Sequence, residues 1–146
     1  MIGNEIRKGI PELGIEPNQM EALKYMKYSA DNGYLDALYY YPVELSTVEN
    51  PGDYKDEIVK YLKIGVEMDN YDCMNFYGAC LIGGKFVPEN IEEGKKLLKR
   101  AADNGIKSAM IAYSQLPSSI VDPKEAFFYK KMAEDKNNEN GKCQIC

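Results

Sequence analysis

The chain has no histidine among its 146 residues, and it also lacks tryptophan. Histidine is the commonest general base and the commonest metal ligand, so its absence removes the side chain that many enzymes and metal sites depend on. No apolar run reaches the length of about 18 residues that a membrane-spanning helix needs. The first residues lack the apolar stretch of a secretory signal, which predicts a cytoplasmic location.

An excess of positive charge is also missing, because 18 basic residues stand against 23 acidic residues and the net charge is −5. Nucleic-acid binding needs a basic stripe that displaces counterions, and binding to anionic lipid needs a basic patch. Neither nucleic acid nor an anionic lipid surface is therefore a predicted partner. No membrane span is predicted either, because the apolar runs are too short. The four cysteines are expected to stay reduced in the cytoplasm.

What the chain does contain is one pattern that occurs three times at a spacing of 36 residues. The three copies run from Tyr25 to Tyr41, from Tyr61 to Tyr77 and from Leu97 to Tyr113. In each copy a small residue stands four positions before the final tyrosine, at Ala37, Cys73 and Ala109. A fixed period of about 20–50 residues is typical of stacked repeats, and we interpret the tyrosines as packing residues.

Each copy reads as two helices. From Asn90 to Gly105, apolar or small residues recur at helical spacing, with Asn90 as a predicted N-cap and Gly105 as a predicted C-cap. Strand patterns are missing, and Pro42 is expected to stop or kink its helix. The predicted fold is all-α, an α–α superhelix (solenoid) of about three to four antiparallel helix pairs over residues 1–136, with a disordered tail over 137–146.

The spacing within one unit resembles that of the Sel-one-like repeat, a relative of the tetratricopeptide repeat. The residues that carry this resemblance are Cys73, Tyr77, Gly78, Leu81, Gly84, Val87, Asn90, Gly94, Leu97, Leu98, Ala101, Ala102 and Gly105. The resemblance implies a non-catalytic scaffold or adaptor that binds a peptide or protein on its concave face. Met1 aligns with Cys73, so the first helix is interpreted as an unusual cap or the chain as an excerpt of a longer array.

The resemblance also implies that the first helix of each pair lines the concave face. The stripe of these helices that is not used for packing consists of Asp36, Tyr39, Val43, Asp72, Asn75, Ala79, Ile82, Ser108, Ile111 and Gln115. The chemistry of equivalent positions differs between units, as in Tyr39, Asn75 and Ile111. A surface tuned to one partner has such variation, and so does an ordinary solvent-facing surface. The stripe is therefore a candidate binding face, with ordinary surface as the alternative.

The sequence contains two further candidate surfaces, at the C-terminus and on the last helix, and it leaves one other function class open. Cys143 stands fourth from the end and is a possible lipidation site, which would make a lipid-anchored adaptor. The last helix carries apolar residues that no following unit covers, which suggests self-association or a missing partner; they are Phe127, Phe128, Tyr129 and Met132. A cysteine-containing, hydrolase-like repeat enzyme is the alternative function. No nucleophile–base pair is recognised, so no catalytic residue, metal or cofactor is predicted.

Overall fold

The computed structural model describes the backbone of residues 19–145 and the side chains of residues 19–136. This part of the chain forms seven α-helices and no strand. The helices are α1 Gln19–Asp31, α2 Leu35–Leu45, α3 Lys55–Glu67, α4 Tyr71–Gly83, α5 Ile91–Asp103, α6 Lys107–Ser114 and α7 Pro123–Ile145, and a 3₁₀ turn Pro51–Tyr54 precedes α3. The prediction of an all-α solenoid of helix pairs is confirmed. The first helices of the pairs are α2, α4 and α6, and the second helices are α1, α3, α5 and α7.

The ends of α5 show how the local sequence sets a helix. The side chain of Asn90 accepts a hydrogen bond from the backbone N–H of Glu93 at 3.2 Å, as an N-cap residue does. Gly105 follows the helix with a φ of 93°, a left-handed conformation that glycine adopts without strain. Both predicted caps of this helix are confirmed.

Pro42 does not end its helix, so of the predicted stop or kink the stop is wrong, and the kink stays a prediction. Helix α2 continues to Leu45, and Pro42 is buried within it. The backbone N–H of Ser46 closes the following turn by donating to the carbonyl oxygen of Pro42 at 3.0 Å. Burial of the proline ring together with Leu45 offsets the cost of the backbone donor that proline lacks.

The described part of the chain separates into two compact units, which divide between residues 70 and 71. In the described part of the first unit, α1 packs on α2 and α2 packs on α3. In the second unit, α4 packs on α5, α5 on α6 and α6 on α7. Each unit is therefore built by consecutive antiparallel neighbours, as the repeat predicts.

Two glycines set the closest helix contact of the second unit. A Cβ atom at Gly94 would lie 2.7 Å from the carbonyl oxygen of Gly78 and 2.7 Å from Cγ1 of Ile82. A Cβ atom at Gly78 would lie 2.9 Å from the carbonyl oxygen of Gly94. Because real Cβ atoms essentially never approach other atoms this closely, α4 and α5 can meet here only through glycine.

At the edge of the core of the first unit, two buried tyrosines form a cluster with two carboxylates and a lysine that are at least partly open to solvent. The rings of Tyr41 and Tyr61 meet edge to face with their centroids 5.0 Å apart. The hydroxyl of Tyr41 donates to Glu57 at 2.7 Å, and the hydroxyl of Tyr61 donates to Asp31. Lys27 forms an ion pair with Glu57 at 3.2 Å. Burial first, and the bonded carboxylates second, raise the pKa of both tyrosines.

The second unit contains the same cluster. The rings of Tyr113 and Tyr129 meet with centroids 4.9 Å apart, and the hydroxyl of Tyr129 donates to Asp103. Lys99 forms an ion pair with Glu125 at 2.8 Å. Burial, and then the nearby Glu125 carboxylate, raise the pKa of Tyr113 to about 12. The Tyr113 hydroxyl is buried beside Glu125 but has no hydrogen bond of good geometry within the described chain.

The register of the two clusters shows that they are repeats of one arrangement. Their lysine, aspartate and first tyrosine recur after 72 residues, which is twice the period, and their glutamate and second tyrosine recur after 68 residues. The loop before α7 is therefore four residues shorter than its counterpart before α3. The repeat thus preserves a specific cluster as well as an apolar pattern.

Tyr77 occupies the same position between these two clusters, but it is only half-buried. Burial, followed by the charge of Glu93, raises its pKa, as expected for the counterpart of Tyr41 beside Glu57. Leu97 stands where the first unit has Tyr61, so no second ring packs against Tyr77 from that position. The prediction of three equivalent interior tyrosines is therefore confirmed for Tyr41 and Tyr113, which are buried, and is wrong for Tyr77, whose side chain stays partly exposed.

Two predictions about the ends of the chain stay open. The register of Met1 lies outside the described residues. Helix α7 ends at Ile145, and the structure describes side chains to residue 136. The division into a repeat domain over 1–136 and a tail over 137–146 therefore stays a prediction.

Candidate functional site

The candidate binding face lies on the first helices, and none of its ten residues is buried. Asp36, Asp72, Ala79, Ser108, Ile111 and Gln115 are exposed, and Tyr39, Val43, Asn75 and Ile82 are half-buried. Gln115 directly follows α6 and is its C-cap residue. By contrast, the small residues at Ala37, Cys73 and Ala109 are all buried, so the helical register divides packing residues from accessible ones.

In the second unit, the candidate residues of two first helices are joined directly. The side-chain amide of Asn75 on α4 donates a hydrogen bond to the hydroxyl of Ser108 on α6 at 2.9 Å. Ser108 is exposed and Asn75 is half-buried, and helices α4 and α6 contact each other. These positions therefore form one surface that runs from α4 to α6.

Ile82 differs from the other candidates because it takes part in packing. Its Cγ1 atom lies against Gly94 of α5, at the close contact of the helix pair. Only part of the side chain is accessible. Ile82 therefore supports the α4–α5 contact and offers less surface to a partner than Asn75 or Ile111.

In the first unit, the candidate residues lie beside an aromatic surface that the sequence prediction did not include. Tyr39 packs edge to face on Tyr40, with ring centroids 5.2 Å apart. Asp36 lines an open cavity of about 1020 Å³ together with Tyr28 and Tyr34. The cluster of tyrosines around Tyr34 was the available signal, but their exposure depends on tertiary packing.

The two cysteines of α4 are poor candidates for a nucleophile. Cys73 is fully buried, and burial, with a smaller contribution from the charge of Asp72, raises the pKa of its thiol to about 12. Burial raises the pKa of the Cys80 thiol to about 11. Because the thiolate is the reactive form, both side chains are chemically quiet near neutral pH.

Alkylation tests this conclusion. We expect iodoacetamide to leave Cys73 and Cys80 unmodified in the native protein near neutral pH, and to modify both after denaturation. In the folded protein each thiol stays protonated until the pH approaches its raised pKa. Modification should therefore accelerate only in alkaline solution or on unfolding. Peptide mapping by mass spectrometry reads each site separately. Rapid native labelling of Cys73 would contradict its burial.

No group of three or more cysteine, aspartate or glutamate side chains within residues 19–136 is arranged to hold a metal ion. None of the helices that the structure describes is both long enough and apolar enough to cross a membrane.

The last helix presents two exposed aromatic side chains. Phe127 and Phe128 are 66% and 58% exposed, whereas Tyr129 is buried and Met132 is half-buried. The predicted apolar surface is thus limited to the two phenylalanines among the residues described. Cys143, the proposed lipidation site, lies beyond the described side chains.

Comparison with known proteins agrees with the helix pairs. The family model for the Sel1 repeat matches residues 3–34 and 72–106. A crystal structure of a Sel1 repeat protein from Oxalobacter formigenes superposes with a TM-score of 0.68 at 20% sequence identity. The match covers 82% of this chain and 50% of that one, so this chain spans about half the length of that relative. No curated protein matches.

Proposed function

Because this chain is a Sel1-repeat protein, we propose that it is a non-catalytic scaffold that binds a peptide or protein segment on the face of its first helices. Sel1-repeat proteins are generally protein-interaction scaffolds. The partner-binding residues proposed here are the ten of the candidate face. The bond between Asn75 and Ser108 carries the proposal, because it connects the exposed stripes of two successive first helices.

The chemistry of this face fits recognition of a segment and not turnover of a substrate. Equivalent positions present a tyrosine, an amide and an apolar side chain at Tyr39, Asn75 and Ile111, so a partner would meet different groups on each helix. The thiols of Cys73 and Cys80 are buried and protonated near neutral pH. A hydrolase that uses either cysteine would need a thiolate that this environment disfavours.

A capture experiment tests the proposal. The full chain is immobilised, and the proteins retained from a lysate are compared with those retained by a variant in which Tyr39, Asn75 and Ile111 are all alanine. We expect the triple variant to lose the retained partner, because three half-buried or exposed contacts are truncated at once. Lys63, Lys96 and Lys130, which are exposed on second helices, are changed to alanine in the matched control.

The control triple variant should retain the partner as the wild type does. Circular dichroism confirms that both variants remain folded. Equal recovery by all three proteins would refute the choice of face, and loss with the control variant alone would move the site to the second helices.

Two attached proposals have their own tests. Self-association through α7 predicts that Phe127→Asp lowers the oligomeric state measured by light scattering, and an unchanged state refutes it.

Lipidation at Cys143 predicts an added prenyl mass in the native protein, and an unmodified C-terminal peptide refutes it.

A further inference from the structure

The cavity between α1 and α2 is lined by exposed aromatic side chains. Tyr28 and Tyr34 are 69% and 66% exposed, and Tyr25 and Leu35 are 44% and 47% exposed. Asp36 at the start of α2 adds a carboxylate to the lining. Large aromatic side chains exposed together around one cavity are typical of a binding surface.

This composition is particular to the first unit. At twice the repeat period, Arg100 stands in place of Tyr28 and Lys107 in place of Leu35. Tyr25 corresponds to Leu97, which is only 7% exposed. The fold therefore does not require an aromatic or apolar residue at these positions, and the second unit has cations at two of them.

The cavity belongs to a unit that is acidic as a whole, and Asp36 is the carboxylate among its described lining residues. Residues 28–54 contain five carboxylates and no lysine or arginine. Residues 19–70 hold ten acidic and five basic residues, whereas residues 71–136 hold nine acidic and ten basic residues. Lys24 is the single cation among the described lining residues, on the α1 side. The negative potential of the protein is thus concentrated on the unit that contains the cavity.

We propose that this cavity binds a lysine- or arginine-bearing segment of the partner, with the cation against the faces of Tyr28 and Tyr34 and near the carboxylate of Asp36. The proposal rests on the scaffold function and names the chemistry of the bound segment. A cation over a tyrosine face is attracted by the ring quadrupole, and the attraction is larger where the cation is partly desolvated. The apolar stem of the same side chain covers Tyr25 and Leu35.

The position of Asp36 links the cavity to the candidate binding face. Asp36 belongs to both, since it stands on the stripe of α2 and lines the cavity. Tyr39 follows it on the same helix face. A segment that lies along α2 can therefore place a basic side chain in the cavity while its backbone stays on the face.

The test is a titration of the isotopically labelled full chain, followed by NMR. The probes are a short blocked peptide of alternating lysine and leucine, the same peptide with glutamate for lysine, and the same peptide with the uncharged residue norleucine. We expect saturable shifts of residues 24–37 with the lysine peptide only, and weaker binding at high salt. Asp36→Asn is expected to weaken binding about fivefold, and Tyr34→Leu about tenfold.

Asp53→Asn is the matched control. Asp53 is exposed in the same unit and outside the cavity, so its replacement makes the same change in net charge and should leave the affinity unchanged. Equal weakening by Asp36→Asn and Asp53→Asn would show a general charge effect and overturn the proposal. Equal binding of the lysine and norleucine peptides would overturn it as well.

Other occupants of the cavity give distinct results, and each overturns the proposal. Contacts between the tyrosine rings and residues 1–18 that persist at saturating peptide would show that the chain fills its own cavity. Shifts of residues 24–37 that depend on protein concentration alone would show that a second copy fills it. Loss of the captured partner in the Tyr39, Asn75 and Ile111 variant, with no response of the cavity to the lysine peptide, would leave the scaffold function standing and remove only this inference.

Discussion

Replacement of Gly94 by valine is expected to lower the free energy of unfolding by about 3 kcal/mol. A Cβ atom at this position would lie 2.7 Å from both the Gly78 carbonyl oxygen and Cγ1 of Ile82. The carbonyl oxygen belongs to the backbone of α4 and cannot move alone, so the two helices must separate. Separation would also reduce the packing of Leu97 and Leu98, which are buried beside this contact.

Gly83 gives the control for this prediction, because it lies in α4 and a Cβ atom there would meet nothing within 4 Å. Gly83→Ala should leave the free energy of unfolding unchanged or raise it by up to about 1 kcal/mol through helix propensity. Urea denaturation followed by circular dichroism measures both variants. Similar losses at Gly83 and Gly94 would mean that backbone flexibility, and not close packing, makes glycine necessary.

Truncation of Tyr113 to alanine is expected to cost about 4 kcal/mol, because the side chain is completely buried and its ring packs on Tyr129. The ring and the hydroxyl contribute differently. Tyr113→Phe removes a buried hydroxyl that has no hydrogen bond of good geometry in the described chain, so it should change stability by less than about 0.5 kcal/mol.

The corresponding change in the first unit separates the two contributions. Tyr41→Phe removes a 2.7 Å hydrogen bond to Glu57 and should cost about 1 kcal/mol. Thermal and urea unfolding of the three variants give the comparison. If Tyr113→Phe were as costly as Tyr113→Ala, the hydroxyl and not the ring would be the stabilising group, and the assignment of this residue to packing would be wrong.

The helix pairs could be predicted from the sequence because their signals are local and repeated. Asn90, Gly94 and Gly105 mark the start, the close contact and the end of α5, and each has the role its spacing predicts. The stop predicted at Pro42 was wrong because a local rule for proline does not include the apolar burial that lets α2 continue to Leu45. The outcome at Pro42 depends on tertiary packing, which the sequence pattern around it does not contain.

The hydrogen bonds between buried tyrosines and carboxylates were not predicted from the sequence. The pairs Tyr61–Asp31 and Tyr129–Asp103 join residues 30 and 26 positions apart, so no window the length of one helix contains both partners. Their recurrence at twice the period was the available signal. A comparison at 36 residues hides it, because Leu97 stands one period after Tyr61 and is not a tyrosine.

The sequence predicted which residues lie on the candidate face, but not how much of each side chain is accessible to a partner. Helical spacing separated the accessible residues from Ala37, Cys73 and Ala109, all of which are buried. Spacing could not show that Ile82 packs on Gly94, or that Tyr28 and Tyr34 stand around an open cavity. These properties depend on the distance between helices, which the size of the contacting side chains determines.

Hydrogen–deuterium exchange of the full chain, with and without the partner recovered by capture, tests most directly whether the first helices hold that partner. Binding should slow amide exchange in peptides from α2, α4 and α6, which carry the candidate face. The exchange rates of peptides from α3 and α5 should not change. Slowed exchange confined to α3, α5 and α7 would place the partner on the second helices and contradict the account.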